Sequence, residues 1–395
     1  MQKENIVIAS SSRTPMGSFQ GSLSKISATT LGSIVIKKNL EDTKLSPADV
    51  DEVIMGCVLS AGLGQAPARQ ASIGAKIPPE VGATTINKMC GSGMKAIMIG
   101  NDSILAGNNN IVLAGGLESM SNAPYVLQKV REGIRMGHSL IKDHMFVDGL
   151  EDAYDKGKLM GCFAEDTAEY YQFTREEQDN FAIQSLERAK KATEKGIFKD
   201  EISPIEIVSK KHKEVINRDE QPFKSNINKI PFLKPAFKAN GTVTAANSSS
   251  ISDGASSIMI MKETEAEKRG IKPLARIICH STNSHQPNWF TTAPIGAIRK
   301  VLEKSNLKIG DIDLFEVNEA FAVVPMAVMK ELSISDKILN INGGACALGH
   351  PVGASGARIV TTLINSLRKN NLKKGIASLC IGGGEATAMA LELVN

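Results

Sequence analysis

Of the six cysteines in the sequence, Cys90 has the context best suited to nucleophilic chemistry. Gly91, Ser92 and Gly93 follow it, and a helix-like stretch then begins. A thiol at a helix start meets unpaired amides and the positive end of the helix dipole, and both favour the thiolate. Small residues there let a substrate approach the backbone. The plainer alternative is a packed cysteine in a tight turn. His350 lies between Gly349 and Pro351, inside a run of small residues from Gly343 to Gly356. Proline is tolerated in a first helical turn. At such a place imidazolium is disfavoured, so a neutral base is expected. Cys380 ends an apolar run and precedes Gly382, Gly383 and Gly384, whose amides suit an oxyanion hole. Its alternative is a buried strand cysteine. Asn318, in V-N-E-A-F, can orient a water or donate a hydrogen bond, or simply cap a helix.

The remaining cysteines, Cys57, Cys162, Cys279 and Cys346, are scattered, with no C-x-x-C pair, so neither a zinc site nor a disulfide framework is suggested. His280 and His285 have no Glu or Cys at ligand spacing. Cys-Gly-Ser-Gly lacks the third glycine and the later acidic residue of a dinucleotide fingerprint.

The elements that must hold these residues repeat within the chain. Leu45 opens L-S-P-A-D-V-D-E-V and Leu307 opens L-K-I-G-D-I-D-L-F, a shared pattern L-x-x-x-D-[VI]-D-x-[VF]. Cys90 follows the first copy and His350 the second at nearly the same distance. Each half then reaches a strand that runs into glycines, at 111–116 and 377–384. A closing strand follows at Ala386–Leu393, and its counterpart is Ala255–Met261. Four matches in one order predict a duplication, with residues of roughly 120 to 250 inserted in the first half. If the halves pack about a pseudo-twofold, the helix starts at Cys90 and His350 can face each other. Strand-like runs alternate with helical periodicity, which predicts α/β units with buried sheets. In 92–106, Met94, Ile97, Met98, Ile104 and Leu105 form an apolar stripe that Asn101 interrupts. Thr174 with Glu177 is a capping-box start for a helix over 174–195.

Composition limits the class. The 395 residues are 42% hydrophobic and 22% charged, so bulk disorder is not expected. A net charge of +4 and 4% aromatic content do not suit a nucleic-acid partner. The apolar run Ala320–Met329 contains Pro325 and is half of a membrane span. The N-terminus offers only a short apolar run, Ile6–Ala9, too short for a secretory signal. A cytoplasmic protein without membrane association is expected. The inserted segment carries a net −6 over 121–187 and +6 over 188–250. Solvated surface is the ordinary explanation; a positive wall for a phosphorylated ligand is the functional one.

C-G-S-G (90–93), V-N-E-A-F (317–321), G-H-P-V-G-A-S-G-A-R (349–358) and C-I-G-G-G (380–384) together resemble the thiolases. The likeness extends over essentially the whole chain, including R-T-P-M-G-S-F (13–19) and G-G-L-E-S-M-S (115–121). The resemblance implies a five-layer αβαβα fold of two duplicated halves. The first half would be residues 1–120 with 251–270, the second 271–395, and 121–250 an inserted α/β loop domain for coenzyme A. It further implies condensation of two acetyl-CoA to acetoacetyl-CoA and coenzyme A, in a homotetramer built as a dimer of dimers. No metal or other cofactor is implied, coenzyme A being substrate and product. Position by position, Cys90 would be the acylated nucleophile, His350 its base, and Cys380 the acid/base at the second acetyl group. Asn318 would hold an oxyanion-hole water, and the amides of Cys90 and Gly382 the other hole. Ser249, Phe237, Ala245, Met160, Leu150 and Phe321 would line the coenzyme A arm, with Lys224 the nearest cation for its adenine end.

Some positions depart from the family's pattern. Leu159 stands where short-chain members often have His, Phe290 where some have Met, and Ala246 and Ser250 where others have Gly. The stretch 150–160 is one residue longer than in many. These leave the catalytic set intact and bear on acyl-chain selectivity, so that a broader degradative 3-ketoacyl-CoA thiolase is the main alternative; a decarboxylating condensing enzyme is another, and an inactive coenzyme A- or lipid-binding relative is argued against by the joint retention of Cys90, His350, Cys380 and Asn318. The decarboxylating enzyme would need a histidine at 318.

Overall fold

The computed structural model describes residues 4–208 and 213–394. Lys210 and Lys211 of the basic segment lie outside the described residues. Nine strands form the row of one main sheet: β1 (Ile6–Arg13), β2 (Glu52–Gly56), β3 (Gly82–Ile86), β4 (Ile111–Ser119), β5 (Ser252–Lys262), β6 (Ala275–Ser284), β7 (Leu314–Val317), β8 (Lys374–Ile381) and β9 (Glu385–Leu393). Their order is β7-β8-β9-β6-β1-β5-β4-β2-β3, with the short strand Gly17–Ser18 on β5. Read outward from the centre, β1-β5-β4-β2 and β6-β9-β8-β7 have the same pairings: antiparallel, antiparallel, parallel. The two sets meet at β1 and β6, where Val7 pairs with Arg276 and Ile8 with Ala275.

The repeated aspartates explain part of this symmetry. Asp51 Oδ2 accepts from the amides of Asn110 (2.7 Å) and Ile111 (2.8 Å), at the start of β4. Asp313 Oδ2 accepts from Lys373 (2.9 Å) and Lys374 (2.8 Å), at the start of β8. Each carboxylate thus satisfies otherwise unpaired donors where a buried parallel strand enters the sheet.

Seven helices of eight residues or more matter for the site: α1 (Ala28–Thr43), α2 (Ser92–Leu105), α3 (Met160–Tyr171), α4 (Arg175–Glu194), α5 (Ala293–Ser305), α6 (Val323–Leu332) and α7 (Val352–Lys369). Strand side chains alternate between faces. Ile111, Leu113, Met259 and Met261 pack outward on Leu31, Val35 and Ile36 of α1. Val112, Ile258 and Ile260 turn inward onto α2 and α7, where Leu379, Met389 and Leu391 of the other half also pack. Ile376, Ala388 and Ala390 face out toward α5 and α6. The result is a five-layer αβαβα fold with α2 and α7 in the central layer. Every residue of α7 from Val352 to Leu367 is buried, as a helix packed between the two halves of that sheet requires. The stripe expected on α2 holds except at Leu105, which is 48% exposed, while Asn101 is buried.

Residues between β4 and β5 stay out of the main sheet and form two small hairpins with α3 and α4. The capping box at Thr174 forms in both directions and α4 begins at Arg175. This segment is fastened to β1 by Arg13, whose guanidinium is fully buried. Its Nε donates to Glu201 (2.5 Å), and Nη1 and Nη2 donate to Asp219 (2.7 and 2.9 Å). Losing one partner of a buried ion pair strands the others, so Arg13→Met is expected to cost about 3–5 kcal/mol of stability. Urea unfolding tests this. A midpoint change worth less than about 1 kcal/mol, typical of exposed pairs, would show that the clamp contributes little.

Among the described residues, no helix is long and apolar enough to cross a membrane, and no group of three His, Cys, Asp or Glu residues is arranged to hold a metal.

Candidate active site

Cys90 sits on a constrained turn just before α2. Met89 has φ +46°, a left-handed conformation that is costly for a long side chain. The Ser92 hydroxyl spans the turn, accepting from the Lys88 amide (2.8 Å) and donating to the Met89 carbonyl (2.6 Å). Close backbone contact brings the other site elements in. A Cβ on Gly93 would lie 2.8 Å from the Ala357 amide nitrogen, and one on Gly356 would lie 2.3 Å from that of Met94. Glycines at these points let α2 and α7 touch with their N-terminal ends side by side. Cys90 at one end and His350 before the other are therefore neighbours across the central layer. Gly91 presses on Ile381, where a Cβ would meet Cδ1 at 2.3 Å. That contact seats Cys90 against the end of β8, with Cys380 and Gly382.

The amides of Gly382 and of Cys90 itself both act on the Cys90 sulfur. Gly383 and Gly384 have φ of +92° and +85°, so the turn presenting the Gly382 amide calls for glycine. Burial nevertheless pushes the Cys90 thiol up to about 11, and the buried Glu118 carboxyl adds to the rise. The helix-start expectation of a thiolate is thus corrected: desolvation outweighs the amides, and the free protein holds a thiol. The Cys380 thiol is also pushed well above its ordinary value, first by burial and then by the nearness of Cys90, since two thiolates there would repel each other.

His350 is buried and neutral, as expected, but for a different reason than its helix-start position. Burial, assisted by the positive charge of Arg358, holds its pKa down to about 3. The Ser355 hydroxyl donates to the Pro351 carbonyl (3.0 Å). Its oxygen must therefore accept from His350 Nδ1, 2.5 Å away. That fixes the tautomer and leaves Nε2 as the basic nitrogen, buried and without a partner in the protein. Asn318 follows β7, with its amide N–H bonded to the Ser378 carbonyl (3.0 Å). Its Nδ2 is likewise buried and unpartnered.

Residues proposed for the coenzyme A arm fall into three groups. Met160 Sδ lies 3.3 Å from the position a Cβ on Gly382 would take, and Phe237 lies flat on Gly161. Phe237 and Phe290 both meet Phe321 edge-on, with ring centroids 5.9 and 6.4 Å apart. Leu150 packs on the same small apolar cluster as Cys90, which includes Val58 and Val352. Ala245 and Lys224 line a cavity of about 280 Å³ with Ala246, Ser250, Lys229 and Cys346. Ser249 is tied by its amide to the Ala320 carbonyl (2.9 Å), between these groups.

Several cations of the basic segment are engaged within the protein among the described residues. Lys213 pairs with Glu206, Lys238 with Glu169, and Arg188 reaches the Leu339 carbonyl. Lys224 itself is paired with Glu220 at 2.6 Å.

Sequence reasoning missed four supporting residues. Ser355 and Arg358 stand in the very motif that flagged His350, but their partners are read only from contacts. Glu118 accepts from the amides of Val58 (3.0 Å), Leu59 (3.1 Å) and Gly353 (2.9 Å), and its carboxyl is pushed up to about 7 by burial. Glu316 pairs with Arg358 at 3.1 Å.

Two neighbouring thiols, a pair of backbone amides at the Cys90 sulfur, a neutral imidazole with a free Nε2 and a buried Asn318 amide without a partner are thus present at the starts of α2 and α7 and the ends of β7 and β8. Such a set can form and break a covalent thioester and can move a proton at a second centre.

Comparison with known proteins agrees in kind. Residues 6–264 match the thiolase N-terminal domain and residues 271–393 the thiolase C-terminal domain. A probable acetyl-CoA acetyltransferase of Dictyostelium discoideum is 50% identical over 390 residues, covering 98% of this chain and 94% of that protein. The crystal structure of the Bacillus anthracis acetyl-CoA acetyltransferase superposes with a TM-score of 0.96 at 40% identity, over 99% of both chains. A thiolase of Ascaris suum in complex with coenzyme A gives 0.93 at 41% identity, over 99% of this chain and 100% of that one.

Proposed function

We infer, from the premise that this chain belongs to the thiolase family, that it is an acetyl-CoA C-acetyltransferase working through an acyl-enzyme on Cys90. What supports the reading is the neighbouring thiols Cys90 and Cys380, the Cys90 and Gly382 amides at the Cys90 sulfur, and the buried, unpartnered His350 Nε2 and Asn318 Nδ2.

In the first half-reaction, His350 Nε2 takes the proton of Cys90 and the thiolate attacks the acetyl-CoA carbonyl. The amides of Cys90 and Gly382 hold the oxyanion. Coenzyme A leaves as its thiolate and takes the proton of Cys380. The second acetyl-CoA then enters, its carbonyl oxygen meeting the Nε2–H of the now charged His350 and a water held by Asn318. Cys380, as thiolate, takes a methyl proton. The carbanion attacks the acetyl group on Cys90, and the Cys90–acetyl bond breaks. Cys90 recovers its proton from His350, so acetoacetyl-CoA leaves and every group is reset. The steps balance with coenzyme A as the only species besides the acyl groups, so we assign no part to a metal or another cofactor. A first methyl proton is far less acidic than a thiol of pKa about 8.5, which is why the second donor set is needed.

Phe290 is 3% exposed and closes against Phe321 beside Met160, which favours short acyl chains over the broad degradative reading. Thiolysis of a 3-ketoacyl-CoA series from acetoacetyl to decanoyl length is expected to be confined to the shortest members. Phe290→Ala is expected to raise the relative rate with hexanoyl-length and longer substrates by roughly tenfold, the scale of one or two methylenes accommodated. Comparable wild-type rates at decanoyl length would instead establish the degradative reading.

We also propose a homotetramer. The hairpin region leaves Tyr125, Ile134, Met136, Leu140 and Ile141 exposed, apolar side chains that suit a subunit interface. β3 is an open sheet edge a few residues before Cys90.

A further inference from the structure

We propose that Arg358 is a positioning residue for the condensation step, holding the side-chain amide of Asn318 with its N–H group turned into the site. The inference rests on the role given above to Asn318. Arg358 lies on α7 and is 1% exposed. Its Nη2 donates to Asn318 Oδ1 (3.2 Å) and its Nη1 to Glu316 Oε1 (3.1 Å).

A guanidinium has donors and no acceptor. The Asn318 atom facing it must therefore be the oxygen, and Nδ2 must point the other way. There it is buried and has no protein partner. A buried donor left unpaired costs free energy unless something outside the chain satisfies it. The water that serves the second thioester oxygen is such a partner. An asparagine without Arg358 is free to turn over. The flipped amide offers an acceptor where negative charge develops, so the hole works only in one of the two orientations. The main chain of Asn318 is already fixed by its bond to Ser378, which leaves the amide orientation as the variable Arg358 controls. Glu316 keeps the guanidinium in register from the preceding strand.

The test compares two rates in each variant: acetylation of Cys90 by acetyl-CoA, followed by intact mass, and condensation to acetoacetyl-CoA. Losing an oxyanion-hole donor costs roughly 100–1,000-fold, so Asn318→Ala is expected to fall by that much in condensation. Arg358→Met is expected to lose at least tenfold more in condensation than in acetylation. In the double variant condensation is expected to fall no further than in Asn318→Ala, within about threefold, because both changes disable one device. Arg358→Lys keeps a donor-only head group and is expected to retain a near wild-type ratio of condensation to acetylation. Should the methionine variant fail to fold, that ratio in the lysine variant decides the matter. Additive losses in the double variant, equal losses in the two rates, or a lysine variant with a ratio as low as that of Asn318→Ala would overturn the proposal. Normal condensation by Asn318→Ala would remove the Asn318 role itself. A damaged Asn318→Ala beside an unaffected Arg358→Met would remove the Arg358 role alone.

Discussion

Cys90→Ala is expected to abolish acetyl transfer, with thiolysis of acetoacetyl-CoA falling by roughly 10⁴–10⁶-fold, the scale seen when a covalent nucleophile is removed. The size of the loss follows from the geometry. Cys90 supplies the attacking sulfur, and its own amide is half of the donor pair around that sulfur. The amide survives the substitution, so the hole remains but has no covalent intermediate to serve. The neighbouring thiols do not substitute for it. Cys380 is wholly buried and pushed well above its ordinary pKa, and Cys57 is buried against Glu118, which also raises it. Intact-mass analysis after acetyl-CoA treatment is expected to show an acetyl group on the wild type and none on the variant. Acetylation of Cys90→Ala at the wild-type rate on another residue would sink the assignment. The pH dependence adds a second check. The Cys90 thiol stands near 11 and His350 near 3, so in the free protein the pair is thiol and neutral imidazole across the whole neutral range. Acylation by His350 proton removal then stays level as pH falls from 8 to 6. A loss of rate following a Cys90 thiolate of ordinary pKa over that range would contradict the assigned proton transfer.

These two pKa directions show what a sequence can and cannot disclose. Cys90, His350 and Cys380 were legible because each stands beside small or glycine-rich residues that little else explains, whereas Asn318, in V-N-E-A-F, was legible mainly through the resemblance of that motif to the thiolases. The repeat was legible because Asp51 and Asp313 perform the same backbone task in each half. Even the placement of Cys90 opposite His350 followed from that repeat. The electrostatics were not legible. A helix start argues for a thiolate at Cys90, yet desolvation outweighs the amides there, and desolvation is a property of the five layers together rather than of the local motif. The same holds for the supporting residues. Glu118 serves amides about sixty and more than two hundred positions away, and Arg358 serves residues forty and forty-two positions earlier. Their residue types alone suggest surface charges. The 188–250 cations show the converse: their sequence clustering did not disclose that several are paired with carboxylates such as Glu206, Glu169 and Glu220.

Cys380→Ala separates the two half-reactions. The variant is expected to take up an acetyl group on Cys90 yet to form acetoacetyl-CoA roughly 10³–10⁴ times more slowly, the upper range for loss of a general base. Acetylation persists because its essential groups are untouched: His350 Nε2 is still free to take the Cys90 proton, and the Cys90 and Gly382 amides still face the sulfur. The departing coenzyme A loses a proton donor, but a thiol of ordinary pKa, about 8.5, is a tolerable anion near neutrality, so the cost there is modest. Condensation has no such escape. A methyl proton must go to a base held against it, and His350 is by then protonated and serving the enolate oxygen. The same base returns the proton in thiolysis, so both directions are expected to fall together. Serine at 380 is expected to rescue little, because a hydroxyl is far harder to ionise than a thiol in a pocket that already pushes the thiol up by burial. Near-normal acetoacetyl-CoA formation by Cys380→Ala would move the proton transfer to another group. An acetylation rate lost in equal measure would instead make Cys380 part of the first step, and the division of labour between the two thiols would have to be redrawn.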